Sequence, residues 1–306
     1  RQAGPVRTQE GGLMLGLIVS REFTALLKSK AMRVSTAIVV ALMLIGGGVA
    51  GFLLGDKGVD VSIPPATGHT AHTNPLGFIV GMVAVMFVAI PIFMGMGALN
   101  SGVVEEKTSR VVEILLTTVK PRTLLLAKLL GIGSAMLVFI ACYLAGIVAG
   151  AGLAGVLPSM GNLAAAHLNP WTFAPAVLVW LAVGYFAFGG LSGALASTVS
   201  RQEDLGAVQT PVIFGAMIPM YVALYLVPYA PDTTVTHILS CCPFLSPFMM
   251  PMRMALGAVG VWEQLLAFAI QIATICLLSL LAGKVYERSI LHTGERLKLR
   301  QALRGR

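Results

Sequence analysis

At 306 residues, with 57% hydrophobic and only 11% charged side chains, the chain has too little polar surface to cover a water-soluble fold of this size. A mean hydropathy of +0.86 excludes the soluble classes and makes it an integral membrane protein. The alternation of a membrane β-barrel is absent, so the expected fold class is all-α, each span satisfying its own backbone hydrogen bonds.

The first expected unit, residues 1–33, is a mixed-composition N-terminus. The chain begins at Arg1 rather than Met, as a piece of a longer gene product would. Within it, SREFTALLKSKAMR (20–33) places Phe23, Leu26 and Leu27 on one helical face and Arg21, Thr24 and Lys28 on the other. Apolar runs follow at about 34–54, 77–99, 123–150, 172–199, 205–228 and 262–284. Each is near the ~20 residues that a helix needs to cross the hydrocarbon. No small-residue cleavage site trails the first run, so it reads as a retained span and not a signal peptide. The second unit is therefore a six-span domain, 34–284, and the third a basic tail, 285–306.

Lysine and arginine set the expected orientation. With both termini inside, 19 of the 21 basic residues fall on the cytoplasmic side, and only Lys57 and Arg253 lie outside. The net charge of +8 is thus a topology signal, with basic rims meeting anionic lipid headgroups and no nucleic-acid partner expected. Arg253, alone among apolar residues on the outer side, suits either a lipid phosphate contact or an outer gate. His69, His72, His167 and His237 fall in outside loops, and the first two, in GHTAHT, are too few for a convincing metal site. Cys142 and Cys276 lie in spans, Cys241 and Cys242 are adjacent, and no disulfide framework or bound metal follows.

Several chemistries lack their residues. No Gly-x4-Gly-Lys-[Ser/Thr] loop is present, so the chain is expected to bind no nucleotide or other cofactor itself. Gly190-Leu191-Ser192-Gly193 matches a short pattern of intramembrane serine proteases, yet no span carries a histidine to act as base. Gly189 and Gly193 fit a GxxxG helix contact instead, and no enzymatic activity is expected. Ion-coupled carriers keep ionisable groups mid-membrane. Here Glu263, Lys128 and Lys284 lie near span ends, where long side chains snorkel to the interface, so the energy source is expected elsewhere.

The segment VVEEKTSRVVEILLTTVKP (103–121) concentrates charge between spans two and three. As a helix over 104–120 it gathers Val104, Thr108, Val111, Val112, Leu115 and Val119 on one face, with Glu106, Arg110, Glu113, Thr117 and Lys120 opposite. Glu106–Arg110 and Arg110–Glu113 have pairing distances along that stripe, and Pro121 is expected to end the element. Interfacial anchors carry mostly basic polar faces, whereas this mixture of acid and base suits a complementary protein surface.

EEKTSRVVEILLTTVKPRTLLLAKLLG (105–131) resembles the motif of ABC-2 type permeases, in the branch of sodium-extrusion permeases and related drug exporters. SRQEDLGAVQTP (200–211) and CPFLSPFMMPMRMALG (242–257) resemble that branch's loop before span five and its outer segment before span six, so the likeness runs from about 77 to 284. The resemblance implies an exporter half in a bacterial inner (plasma) membrane, paired with a second identical or different half above two copies of a cytoplasmic ATPase that holds ATP and Mg. It implies an elbow helix at 20–33 and a cytoplasmic coupling helix between spans two and three. Glu105, Glu106, Arg110 and Glu113, with Arg201, Glu203 and Asp204, become ATPase-coupling candidates. Spans two and five would line the path, offering Met86, Met94, Asn100, Gln209, Thr210, Met217, Tyr221 and Tyr225. Such adaptable, weakly polar groups suit a small amphiphile, drug or lipid better than a sodium ion. The branch usually has a large domain between spans one and two, whereas the link here is only about 55–76, so either the protein lacks that domain or this sequence omits part of it. The alternative is an ATPase-associated scaffold or sensor subunit without a pathway.

Overall fold

Long apolar runs become long helices. The computed structural model describes residues 6–54, 75–109, 119–153 and 169–289, and it contains helices and no strands among them. In chain order these are α1 (Val6–Lys28), α2 (Lys30–Leu54), α3 (Pro75–Thr108), α4 (Pro121–Leu153), α5 (Pro170–Ala196), α6 (Leu205–Tyr221), α7 (Thr234–Cys241), α8 (Ser246–Ala255) and α9 (Val261–Ser289). A 3₁₀ turn, Gln202–Asp204, leads into α6, and a π turn, Val222–Leu226, extends it to Tyr229. Five helical stretches are long and apolar enough to cross a membrane, or six if the bent α1–α2 pair forms one span.

Helix α3 sits at the centre. Val85, Val88, Ile92, Met96, Leu99 and Val103 recur at spacings of three and four and are fully buried. Helix α5 packs along α3 and α4, and the GxxxG glycines allow the close fit: a Cβ at Gly193 would lie 3.0 Å from Leu99 Cδ2 of α3, and one at Gly189 3.0 Å from Leu129 Cδ2 of α4. Elsewhere the surface is apolar, with Leu42, Ile45, Leu277 and Leu280 exposed as hydrocarbon contact requires.

The bundle has two ends, called lower and upper here. At the lower end Lys107 donates to Ser197 O and Ser289 O, both at 2.8 Å, so one ammonium closes the C-terminal ends of α5 and α9. At the upper end α7 and α8 form a hairpin too short to span. Nine of the ten α8 residues are buried. A Cβ at Gly81 would sit 2.4 Å from Met252 Sδ, and one at Gly184 would fall 2.8 Å from Ile92 and 2.9 Å from Pro247. From Gly81 to Ile92 along α3 is roughly 16 Å, so the hairpin tip reaches about halfway down a ~30 Å core. Phe244 makes the sharp turn at φ 68° and packs its ring 5.0 Å from Phe188. The segment 242–257, read from sequence as an outer segment before span six, is thus an inserted element.

Two expected boundaries change. Helix α1 runs to Lys28, breaks at Ser29 and bends by 55° into α2, so residues 30–33 belong to the following helix and not to the elbow. Arg33 donates to Lys28 O at 3.1 Å across the break. Residues 104–108 continue α3 instead of starting a separate helix, and Pro121 opens α4. Proline suits a first helical turn because its missing N–H has no partner there anyway. Residues 110–118 lie outside the described part of the structure.

Candidate functional site

At the lower end a bonded group of four charges joins three helices. Lys128 of α4 donates to Glu22 Oε1 of α1 at 3.0 Å and lies 3.1 Å from Glu106 Oε2 of α3, off the hydrogen-bond direction but close enough for an ion pair. Arg21 of α1 bonds Glu22 at 2.7 Å and also bonds Glu106. Lys128 is only 1% exposed, so the expectation that it snorkels to the interface is overturned: its ammonium is held inside the bundle by two carboxylates. Such a group is neutral overall, and removing one member leaves an uncompensated buried charge. For Glu22, burial raises the carboxyl pKa, but the Lys128 ammonium and the Arg21 guanidinium outweigh it and hold the group below its usual range. Gly131 makes the approach of α1 to α4 feasible, since a Cβ there would lie 2.6 Å from Glu22 Cβ and 2.8 Å from Val19 O.

Beside this group the turn before α6 docks on the end of α3. Gln202 donates to Ser101 O at 3.0 Å, and Thr108 donates to Ser200 O at 3.2 Å. The fold therefore brings together two of the segments expected from sequence to couple to an ATPase. Glu105, Arg201, Glu203 and Asp204 are exposed at this one end, whereas Glu106 is turned inward to Arg21 and Lys128. Arg110 and Glu113 lie outside the described residues.

The eight pathway candidates do not converge. Met94 accepts from the Tyr143 hydroxyl at 3.9 Å and so faces α4. Asn100 is buried against α5, where it donates to Ser192 Oγ at 2.7 Å while its Oδ1 has no protein partner. Met86 is half-buried against the core. Gln209 of α6 comes close to α3, its Nε2 3.8 Å from where a Gly97 Cβ would be. Met217 is half-buried, whereas Thr210, Tyr221 and Tyr225 lie on the exposed face of α6. Phe214 is on that face too, 61% exposed, and the Tyr221 and Tyr225 rings stack at 6.0 Å.

Arg253 is not alone, as its sequence neighbours suggested, but fully buried. Its guanidinium bonds Glu263 through both terminal nitrogens, one of them at 3.2 Å. It also donates to Ser240 Oγ at 2.7 Å, Ala258 O at 2.7 Å and Pro231 O at 3.2 Å, and lies 3.0 Å from His237 Nδ1. The lipid-contact alternative is corrected by this burial: the side chain ties α7, α8 and α9 to one another. Its position in the last turn of α8 adds the attraction of a helix C-terminus for a cation. Glu263, also expected to snorkel, is the counter-ion.

Ser192 finds Asn100 where a protease would need a base. The four cysteines are free, and no group of three or more metal-ligating side chains occurs among the described residues. His69, His72 and His167 lie outside them. Arg21, Glu22 and Lys107 went unremarked as functional residues in the sequence. The available signal was an acid–base pair in the elbow segment facing charges at two span ends.

Apolar spans around a central helix, an inserted hairpin and a charged lower end define a multi-pass membrane protein. The chain belongs to the ABC-2 family: residues 55–283 match the family described as ABC-2 family transporter protein. It is 30% identical over 247 residues to the uncharacterized protein YhaP of Bacillus subtilis (strain 168), a match covering 75% of this chain and 56% of that protein. It is 26% identical over 227 residues to the uncharacterized protein MJ1024 of Methanocaldococcus jannaschii, covering 74% of this chain and 52% of the relative. The chain thus matches about half the length of these curated relatives. No solved structure matches it.

Proposed function

We propose that this chain is the membrane-embedded half of an ATP-driven exporter, with the lower end in the cytoplasm and a separate ATPase subunit docked beneath it. The observation that carries this reading is the exposure of Glu105, Arg201, Glu203 and Asp204 at one end, on two segments hydrogen-bonded to each other. A mixed-charge surface of this kind suits a protein partner of complementary charge. ATP and Mg belong to that partner.

Closure of two ATPase subunits would press on the end of α3 and on the turn before α6. The bonds among Arg21, Glu22, Glu106 and Lys128 make α1, α3 and α4 answer as one unit, so the displacement reaches the centre of the bundle. The exposed aromatic face of α6, with Phe214, Tyr221 and Tyr225, then faces a second permease half across the path. Its weakly polar rings favour a small amphiphilic drug or lipid as cargo. Export from the bacterial plasma membrane completes the reading.

The test is a Glu105→Lys, Glu203→Lys, Asp204→Lys triple variant, co-expressed with an ATPase that co-purifies with the unaltered chain. Loss of co-purification and of ATP-dependent dye movement in vesicles, with membrane insertion intact, is the expected result. Undiminished ATPase association and transport would overturn the assignment of this end.

A further inference from the structure

A lateral groove of about 140 Å³ lies between α4, α5 and α9, lined by Arg122, Leu126, Phe186, Gly190, Ile275 and Gly283 together with further apolar side chains. Arg122 stands at its lower end, 47% exposed. We propose that this groove holds an acyl chain of an anionic phospholipid whose phosphate sits on Arg122.

Dimensions support an acyl chain. From Gly283 to Ile275 along α9 is roughly 12 Å, most of the ~15 Å of hydrocarbon in one leaflet. Gly190 is buried, yet nothing lies within 4 Å of where its Cβ would be, so the space at that wall is groove and not packed core. A helix of a partner protein, about 10 Å across, does not fit a space of this volume.

Charge selects the headgroup. Arg122 pairs with one described acid, Glu287, while the exposed Lys284 adjoins the lining Gly283 in sequence and the exposed Lys120 is two residues from Arg122. Arg122 Nε lies 3.5 Å from Glu287 Oε2 with both side chains about half exposed, a weak pair in water. A phosphate offers the guanidinium a bidentate partner and a full negative charge.

The proposal predicts opposite effects of two substitutions that break the same ion pair. Native mass spectrometry of the purified chain, loaded with equal phosphatidylglycerol and phosphatidylcholine of matched acyl chains, reads lipid retention. The unaltered protein should retain the anionic lipid preferentially. Arg122→Gln should reduce that preference about fivefold, the factor equivalent to ~1 kcal/mol per basic group near an anionic surface. Glu287→Gln should raise it. Gly190→Leu, which fills the groove, should lower retention of both lipids. Equal retention of the two lipids by the unaltered protein would overturn the inference, as would Arg122→Gln and Glu287→Gln shifting it in the same direction. If Gly190→Leu does not fold, the other two variants, both at exposed positions, decide the matter.

Discussion

Lys128 of α4 and Glu22 of α1 lie 106 positions apart in sequence and meet at 3.0 Å inside the bundle. With Glu106 3.1 Å from the same ammonium, this contact fixes the bent N-terminal helix to the two helices that flank the charged segment.

Lys128→Met should destabilise the folded protein by about 3–5 kcal/mol, because it leaves Glu22 and Glu106 sharing only the half-exposed Arg21 guanidinium, with one buried carboxylate uncompensated. Arg21→Gln, at a more exposed position, should cost markedly less. Denaturant titration in detergent micelles measures both. The contact also carries a pH dependence. Because Glu22 is held below its ordinary 4.5, its contribution is fully present above that value and is lost as pH falls through the lowered folded value. Protection factors of the α1 amides, taken relative to the intrinsic exchange rate at each pH, should therefore fall below pH ~4 and change much less in Glu22→Gln.

Arg253→Met should loosen the α7–α8 hairpin, since it removes the donor shared by Glu263, Ser240, Pro231 and Ala258 and leaves the Glu263 carboxylate only its contacts with Ser240 and His237. A loss of about 3–5 kcal/mol is expected. Faster hydrogen exchange over 234–255, with α4 unaffected, is the diagnostic pattern; unchanged exchange in the hairpin would show that Arg253 does not hold it.

Asn100→Leu combined with Ser192→Ala should leave stability within ~1 kcal/mol. The pair contributes one neutral hydrogen bond and strands the Asn100 Oδ1, so removing both partners is close to neutral. Thermal unfolding checks this. If Asn100 also serves the cargo path, transport in the proposed complex should fall in this double variant while its unfolding temperature holds.

The part of the site legible in sequence was the part carried by local pattern. The exposed charges at Glu105 and in 201–204 were visible as breaks between apolar runs, and Gly189 and Gly193 were visible as a helix contact. The inward turn of Glu106 was not, because its helical stripe pointed to Arg110 while its bonded partners are Arg21 and Lys128 on other helices. Arg253 stood out as an isolated charge, but Glu263, ten residues on and beyond a glycine turn, gave no local sign of bonding it. Pro121 was read as the end of the charged helix, and only the structure shows that it opens α4.

By itself the sequence determined the all-helical membrane class and the approximate position of the apolar spans. A bilayer obliges each segment to satisfy its own backbone hydrogen bonds, so twenty apolar residues specify a helix without help from the rest of the chain. Only the tertiary structure decided where the charges go. Burying Lys128, Lys107 or Arg253 is feasible only when partners from other helices arrive together, as Glu22 and Glu106, Ser197 and Ser289, and Glu263 do. The same long-range packing drew 242–257 from an expected outer segment into the upper half of the bundle, because Gly81 and Gly184 leave room there that no local pattern announces.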